Sequence, residues 1–295
     1  MRVFVTGATG FVGTAVTAEL IGAGHQVLGL TRSKAGAEAL AALGAQAHPG
    51  SLADLSSLEA GAAEADGVIH LAFNHDFSTY LTNCEDDRRV VTALASALAG
   101  SDRPLLVTSG TGMSTAGPGR MASEEDPPAS SALAPRAASE EAAQTAAAQG
   151  VNASVVRLPQ VHDRQKHGLI TYAIELARAK GVSAYVGEGA NRWTAAHVSD
   201  TARLYRLALE RAERGARYHA IAEEAVPMRA IAEAVGRRVG VPARSIAPEA
   251  AAGHFGWMAM FATNDVPASS ALTRGRLGWN PTGPGLIADI EATGA

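Results

Sequence analysis

The feature that most constrains this chain is a glycine-rich turn close to its beginning. The apolar run Arg2-Val3-Phe4-Val5 leads directly into Thr6-Gly7-Ala8-Thr9-Gly10-Phe11-Val12-Gly13, and apolar residues then recur at helical spacing. In such a strand, turn and helix, glycines allow a tight turn, a close approach of the backbone to phosphate and close packing of helix on strand. The pattern therefore predicts a site for a dinucleotide pyrophosphate, rather than a turn that only connects two elements.

Composition and charge restrict the partners and the location that we expect. The chain has 295 residues, of which 18% are charged, and a formal net charge of -4. Because it has no basic stripe and no apolar run of roughly 20 residues, we expect a small-molecule partner, and neither nucleic acid nor a membrane. The single cysteine, Cys84, cannot form an intrachain disulfide. No charged and apolar leader precedes the first strand, so we expect a cytoplasmic protein.

Strand and helix patterns alternate through the first half of the chain. This alternation predicts an α/β fold, a Rossmann-type doubly wound parallel sheet over residues 1–158. Residues 110–134 are rich in Gly, Pro and Ser and are predicted to form a mobile loop beside the site. Beyond Pro159 amphipathic helices dominate, so we predict a smaller, mostly helical substrate-binding lobe over residues 159–295.

The end of the second predicted strand bears on which dinucleotide is bound. An acidic residue about 20 positions after the glycines marks NAD, because it binds the ribose 2′-hydroxyl. Here the strand ends in Leu30-Thr31-Arg32-Ser33-Lys34, and the next acid is Glu38. Arginine, hydroxyl and lysine groups suit a 2′-phosphate, so we predict NADP rather than NAD. The alternative is that Arg32 stacks on adenine or caps a helix without discriminating between the cofactors.

Several segments together resemble the short-chain dehydrogenase/reductase superfamily. They are the opening motif, Val68-Ile69-His70-Leu71-Ala72 and Leu106-Val107-Thr108-Ser109, with further similarity at residues 193–202 and 271–282. The T-G-x-x-G-x-x-G spacing is similar to that of the extended and atypical branches, which include sugar-nucleotide epimerases and 3β-hydroxysteroid-dehydrogenase-like proteins. The resemblance covers nearly the whole chain, and it implies that residues 191–214 return to the sheet domain. It also implies that the protein can form a homodimer.

The resemblance implies a cofactor site along one edge of the sheet. Its predicted residues are Gly7, Thr9, Gly10, Phe11, Val12, Gly13, Arg32, Ser33, Ser51, Leu52, Leu71, Ala72, Phe73, Pro159 and Val161. Ser51 departs from the family pattern, which usually has an aspartate beside adenine.

The family's chemistry depends on a Tyr-x-x-x-Lys pair, which this sequence lacks. None of the three lysines has a tyrosine four residues before it. By register, Arg136 occupies the tyrosine position and Glu140 the lysine position, and only the family's serine position is retained, as Ser109. We predict that Ser109 contacts the substrate oxygen, with Arg136 stabilising an oxyanion or His162 donating a proton. The alternatives are a strand-end hydroxyl, a salt bridge between Arg136 and Glu140, and a loop histidine.

Further side chains are candidates for substrate contact. Asn74 and His75 follow the fourth strand, at the edge where open α/β sheets bind ligands, and Thr111 follows the fifth. His254 and Trp257 belong to an aromatic cluster that can form an apolar pocket wall or simply pack the lobe. The histidine spacings match no zinc pattern, so we expect no metal.

The leading hypothesis is an NADP(H)-dependent oxidoreductase acting on a small, largely apolar carbonyl or alcohol. The alternative is a catalytically silent NAD(P)-binding regulator or scaffold. A sugar-nucleotide epimerase or dehydratase is the third hypothesis, weakened because that chemistry also uses the missing tyrosine.

Overall fold

The computed structural model describes residues 1–114, 116–117 and 119–292. Its strands are β1 (Arg2–Thr6), β2 (Gln26–Thr31), β3 (Gln46–Pro49), β4 (Gly67–His70), β5 (Leu105–Gly110), β6 (Ala153–Leu158), β7 (Gln160–His162), β8 (Ser183–Val186), β9 (Arg192–His197), β10 (Arg217–His219), β11 (Glu223–Pro227) and β12 (Ala243–Ile246). Its helices are α1 (Phe11–Gly22), α2 (Lys34–Ala42), α3 (Leu55–Ala63), α4 (Tyr80–Leu98), α5 (Ala138–Ala148), α6 (Ile170–Lys180), α7 (Val198–Arg211), α8 (Met228–Val239), α9 (Ala251–Phe255), α10 (Ala259–Ala262), α11 (Ala271–Leu277) and α12 (Leu286–Glu291).

The main sheet is parallel and has the spatial order β10-β6-β5-β4-β1-β2-β3. Successive strand residues point to opposite faces, so each face has its own core. Val3 and Val5 of β1 pack with α1 and α7, whereas Phe4 packs with α3 and α4. The prediction of a doubly wound α/β sheet is confirmed, and the carboxyl ends of the central strands meet at one edge.

The C-terminal part contains two small sheets that the sequence patterns did not predict. One has the order β11-β9-β7, and the other pairs β12 with β8. Helices α6, α8 and α12 enclose a separate apolar core with Trp193 of β9. These strands have three to six residues, which is too short for a clear alternation of apolar and polar positions.

Helix α4 extends beyond its apolar pattern, and the segment after β5 makes contacts with a distant part of the chain. Helix α4 begins at Tyr80, although its apolar residues recur at helical spacing only from Val90, since the charged run 85–89 interrupts the periodicity. The segment after β5 is tied to the C-terminal part of the chain: Ala122 N donates to Pro267 O (2.9 Å), and buried Glu124 accepts from Thr273. Within the described residues, no helix is long and apolar enough to cross a membrane.

Candidate functional site

The glycine turn brings β1, α1 and the segment after β4 into close backbone contact. Gly7 has a φ of +69°, which favours glycine, and a Cβ there would lie 2.8 Å from the Ala72 nitrogen. A Cβ on Gly13 would lie only 1.9 Å from the Gly7 carbonyl oxygen. Neither position therefore accepts a side chain without moving the backbone.

The first turn of α1 faces this glycine turn with its amide groups uncapped by a side chain. Gly10 is the N-cap residue, and the first turn contains no acidic residue. Thr9 and Gly10 are exposed, while Phe11 and Val12 are half-buried. A helix N-terminus attracts anions. Side chains at Gly7 or Gly13 would fill the space between the glycine turn and the first turn of α1. Without them, this geometry fits the pyrophosphate of a nicotinamide dinucleotide.

Arg32 and Ser33 lie just beyond the end of β2. Arg32 is exposed and forms no hydrogen bond or ion pair with any described residue. Ser33 Oγ accepts from Gly36 N at 3.1 Å as the N-cap of α2. Lys34 pairs with Glu38 on the outer face of α2. Of these polar groups, Arg32 is therefore the cation that is free to bind a phosphate.

The other predicted cofactor residues follow the ends of neighbouring strands. Ser51 and Leu52 come after β3, next to the end of β2, since Gly50 N donates to Thr31 O. Leu71, Ala72 and Phe73 follow β4, and Pro159 and Val161 follow β6. The fold thus places all of them along one edge of the sheet, on both sides of the glycine turn.

Arg136 lies in a short 3₁₀ turn before α5 and enters a largely buried polar network. Its Nη1 donates to Asp87 Oδ2 at 3.0 Å and to Ser139 Oγ, and its Nη2 donates to the Thr108 carbonyl at 2.9 Å. The guanidinium carbon lies 4.3 Å from the centre of the Phe73 ring. The expected alternative, a pair between Arg136 and Glu140, does not form, because Glu140 is buried against Arg157.

Asp87 connects Arg136 to the glycine turn. Its Oδ1 lies 2.9 Å from His70 Nε2, and His70 Nδ1 lies 2.7 Å from Thr6 Oγ1, the last residue before Gly7. Burial acts to raise the pKa of Asp87, but His70 and Arg136 outweigh it and hold the pKa at about 2. The carboxylate therefore stays charged at neutral pH and fixes the guanidinium in place.

Ser109, near the carboxyl end of β5, has an unsatisfied hydroxyl. The side chain is 4% exposed, and its Oγ has no hydrogen-bond partner in the part of the chain that the structure describes. The preceding Thr108 differs, because its Oγ1 donates to the His70 carbonyl at 2.6 Å. Leaving a buried hydroxyl without a partner costs about 1–3 kcal/mol, so the Ser109 site favours an additional polar atom.

His162 belongs to a different cluster, in the C-terminal part of the chain. Its Nδ1 lies 2.7 Å from Asp289 Oδ2, and its ring centre lies 5.8 Å from that of His197. His167 Nε2 lies 3.2 Å from the Asp289 carbonyl. Burial lowers the pKa of His162 despite the facing carboxylate, which leaves the ring neutral at pH 7. None of these contacts involves Ser109 or Arg136.

Aromatic side chains connect the loop after β4 to the C-terminal lobe. This ring cluster consists of Phe73, His75, Phe77, Tyr80, Tyr172, Trp257 and Phe261. At its centre, Phe77 and Trp257 stack with ring centres 4.4 Å apart and planes 17° apart. Tyr172, in the first turn of α6, packs edge-on against Trp257. Phe73 extends the cluster to the cofactor edge.

The predicted substrate residues divide between this cluster and other places. His75 and Trp257 belong to the ring cluster, and Asn74 lies beside it, with its Nδ2 donating to Asn83 Oδ1 at 3.1 Å. Thr111 Oγ1 lies 3.0 Å from Thr194 Oγ1, at the junction with β9. His254 instead packs on Phe255 near Lys180, at the opposite end of α6 from Tyr172.

Sequence reasoning missed three residues of this region. Asp87 stands within the acidic run 85–87, and its burial is not visible in a sequence. Phe77 and Tyr172 are not among the predicted site residues. The spacing gave a usable signal: Phe73, His75 and Phe77 alternate after β4, and Trp257 and Phe261 are one helical turn apart.

Comparisons with known proteins identify a family and several relatives. A model of the "NAD dependent epimerase/dehydratase family" matches residues 3–222. The uncharacterized protein C2A9.02 of Schizosaccharomyces pombe is 44% identical over 297 residues, which is 99% of each chain. A shorter match of 72 residues, 24% of this chain and 22% of the relative, is 39% identical to the 4-hydroxy-2-methyl-3-oxo-4-farnesyl-3,4-dihydroquinoline-1-oxide ketoreductase of Stigmatella aurantiaca.

A solved structure has the same fold over nearly the whole chain. The dTDP-glucose 4,6-dehydratase DesIV of Streptomyces venezuelae, with NAD and TYD bound, superposes with a TM-score of 0.79 at 17% identity. It covers 98% of this chain and 96% of its own. The match to the family model supports a nicotinamide dinucleotide as cofactor. Because that model spans well over half of the sequence, the resemblance seen in the motifs is confirmed, and the chain belongs to the NAD-dependent epimerase/dehydratase family.

Proposed function

We propose that the protein is an NADP(H)-dependent oxidoreductase that interconverts a small, largely apolar carbonyl compound and its alcohol. The observation that carries this proposal is the ring cluster, which begins at Phe73, a predicted cofactor residue. When bound at the glycine turn, the nicotinamide dinucleotide supplies or accepts hydride. An aromatic wall beside that position suits a substrate with few hydroxyl groups.

Arg32 supports NADP as the dinucleotide. Its guanidinium lies beyond the end of β2, where the ribose 2′ position of a bound dinucleotide is expected, and no described carboxylate neutralises it. A planar guanidinium binds phosphate through paired hydrogen bonds. With no acidic residue at the end of β2 to accept from a 2′-hydroxyl, the site favours the phosphorylated ribose.

Ser109 and Arg136 are the groups we assign to the substrate oxygen. The Ser109 hydroxyl lacks a partner and can donate to a carbonyl oxygen. Arg136 carries a permanent charge that Asp87 holds in place, and it stabilises negative charge on that oxygen. A guanidinium does not release its proton at neutral pH, so water supplies the proton. His162 is bound to Asp289 and contacts neither Ser109 nor Arg136, so we do not assign it to the substrate oxygen.

A catalytically silent NAD(P)-binding regulator or scaffold is the second candidate. The observation that favours it is Arg136 at the tyrosine position, where the family's proton donor is absent. A sugar-nucleotide epimerase or dehydratase has weaker support, because that chemistry also uses the missing tyrosine, and the likeness to DesIV, at 17% identity, is one of fold alone.

Titration of the purified protein with NADPH and NADH, followed by a screen of ketones and aldehydes for cofactor oxidation, tests the proposal. We expect tighter binding of NADPH and turnover of apolar carbonyl compounds. Binding without any turnover would favour the regulator. Failure to bind either dinucleotide would overturn both the oxidoreductase and the NAD(P)-binding regulator.

A further inference from the structure

The ring cluster offers a stacking surface that extends from Phe73, at the proposed cofactor edge, to Trp257. Trp257 is 44% exposed although it stacks on Phe77, and Tyr172 beside it is 42% exposed. A contiguous patch of exposed aromatic surface is a common feature of ligand-binding sites, because apolar surface in water is unfavourable. One face of Trp257 is already occupied by a ring, which shows that it accepts a flat partner.

Phe77 is the member of this stack that lies in a surface turn. The short 3₁₀ turn Phe77–Thr79 is held by hydrogen bonds from Ser78 N (3.0 Å) and Ser78 Oγ (2.6 Å) to Asp76 Oδ1, and Asn83 Nδ2 donates to the Asp76 carbonyl. Asp76 and Ser78 are exposed, so the turn faces solvent. A stacked aromatic pair contributes about 0.5–1.5 kcal/mol beyond area burial, so an incoming ring that stacks equally well on Trp257 recovers this contribution when it replaces Phe77.

The polar groups beside the rings are already satisfied by one another. Asn83 Nδ2 donates to the carbonyls of Asn74 (3.2 Å) and Asp76 (2.8 Å), and Asn83 Oδ1 accepts from Asn74. Burial raises the pKa of Tyr80 to about 12, and its hydroxyl contacts Cys84. A sugar with several hydroxyl groups would find few free partners here, whereas a flat apolar ring needs none.

We propose that the substrate is a planar aromatic carbonyl compound whose ring stacks on Trp257 in the place of Phe77. This inference rests on the proposed function and specifies the class of its substrate. The ring lies between Trp257 and Phe73, and the carbonyl oxygen points to Arg136, whose guanidinium stacks on Phe73.

Binding to the protein saturated with NADP⁺ tests this without requiring turnover. Calorimetry compares 2-acetylnaphthalene with its fully hydrogenated analogue, which has the same carbonyl and a similar size but no flat ring. We expect the aromatic ketone to bind about five- to tenfold more tightly. Equal affinities for the two ketones would overturn the proposal, even if both are reduced.

Two substitutions with opposite expected effects separate stacking from a structural role. Trp257→Leu should remove the preference to within about twofold, whereas Phe77→Leu should tighten binding of the aromatic ketone about two- to fivefold, because the competing ring is gone. Met260→Leu, at an exposed position of α10 outside the ring cluster, should change neither the preference for the aromatic ketone nor its affinity. A preference that persists in Trp257→Leu, or weaker binding in Phe77→Leu, would contradict the proposal.

The same titrations distinguish this inference from the proposed function. NADP⁺ affinity and the thermal midpoint of each variant show whether the cofactor site and the fold are intact. Tighter binding of the aromatic ketone without turnover would support the stacking site and contradict the oxidoreductase function. Turnover with equal affinities for the two ketones would support the oxidoreductase function and contradict the stacking site.

Discussion

Asp87 and Arg136 form a nearly buried ion pair, with 3.0 Å between Oδ2 and Nη1 and side chains that are 2% and 13% exposed. The pair joins α4 to the turn before α5, and Arg136 is the residue to which the family resemblance assigns the position of the catalytic tyrosine. Through His70 it also reaches Thr6, the residue before the glycine turn. A structural network and a candidate catalytic cation therefore share the same atoms.

Asp87→Ala should lower the free energy of unfolding by about 3–5 kcal/mol, because it leaves the Arg136 guanidinium buried without its counter-ion. Urea unfolding measures the difference. The control is Asp86→Ala, an adjacent exposed carboxylate that pairs with Arg89 on the surface and should change stability by less than about 1 kcal/mol. Similar losses of unfolding free energy in Asp87→Ala and Asp86→Ala would contradict the assignment of Asp87 to a buried ion pair.

The same carboxylate predicts a loss of stability in acid. The pKa of Asp87 is about 2 in the folded protein, below its ordinary value of 3.8. Its contribution is therefore fully present above about pH 4, and it is lost as the pH falls towards about 2. Thermal unfolding of the wild type and Asp87→Asn between pH 2 and 6 tests this. The difference in thermal midpoint between the wild type and Asp87→Asn should narrow as the pH falls from 6 to 2. A constant difference would contradict the lowered pKa of Asp87.

Gly13→Ala should weaken dinucleotide binding by more than about tenfold, because the new Cβ overlaps the Gly7 carbonyl and forces the turn apart. The matched control is Gly22→Ala in the same helix, where a Cβ meets nothing within 4 Å. That variant should bind normally and gain roughly 0.5–1 kcal/mol of stability. Calorimetric titration with NADPH, together with thermal unfolding, measures both effects.

Arg32→Ala should raise the Kd for NADPH about tenfold to a hundredfold and leave that for NADH within about twofold, since only NADPH has the 2′-phosphate. Lys34→Ala removes a neighbouring cation that is engaged with Glu38, and it should have the smaller effect. Equal losses for both dinucleotides in Arg32→Ala would indicate adenine stacking instead.

Ser109→Ala should lower kcat for ketone reduction about a hundredfold while raising the free energy of unfolding by about 1 kcal/mol, because it removes a buried hydroxyl that lacks a partner. Thr17→Val is the control, since Thr17 Oγ1 in α1 is also buried without a described partner. It should stabilise the protein without changing kcat. Steady-state kinetics and unfolding curves give both values, and a Ser109→Ala enzyme with full activity would exclude the catalytic role.

The glycine turn, the alternating strands and the end of β2 were predictable because they depend on neighbours in sequence. The turn needs glycines for reasons of backbone geometry, and strand periodicity is set by residues two positions apart. Short strands such as β8 were not predictable, since four residues show little periodicity and β8 pairs with β12, which lies far along the chain.

The candidate site likewise has features that the sequence determines and features that only the tertiary structure determines. By itself, the sequence determined the glycine turn, the presence of an arginine after β2 and the absence of a Tyr-x-x-x-Lys pair, because each is a property of local spacing. Only the tertiary structure decided that Arg136 pairs with Asp87 rather than Glu140, that Ser109 is buried without a partner, and that Phe77 stacks on Trp257. Arg136 and Asp87 are 49 positions apart in the sequence, and Phe77 and Trp257 are 180 positions apart. Such distant contacts, like the burial of Ser109, are properties of the packed chain.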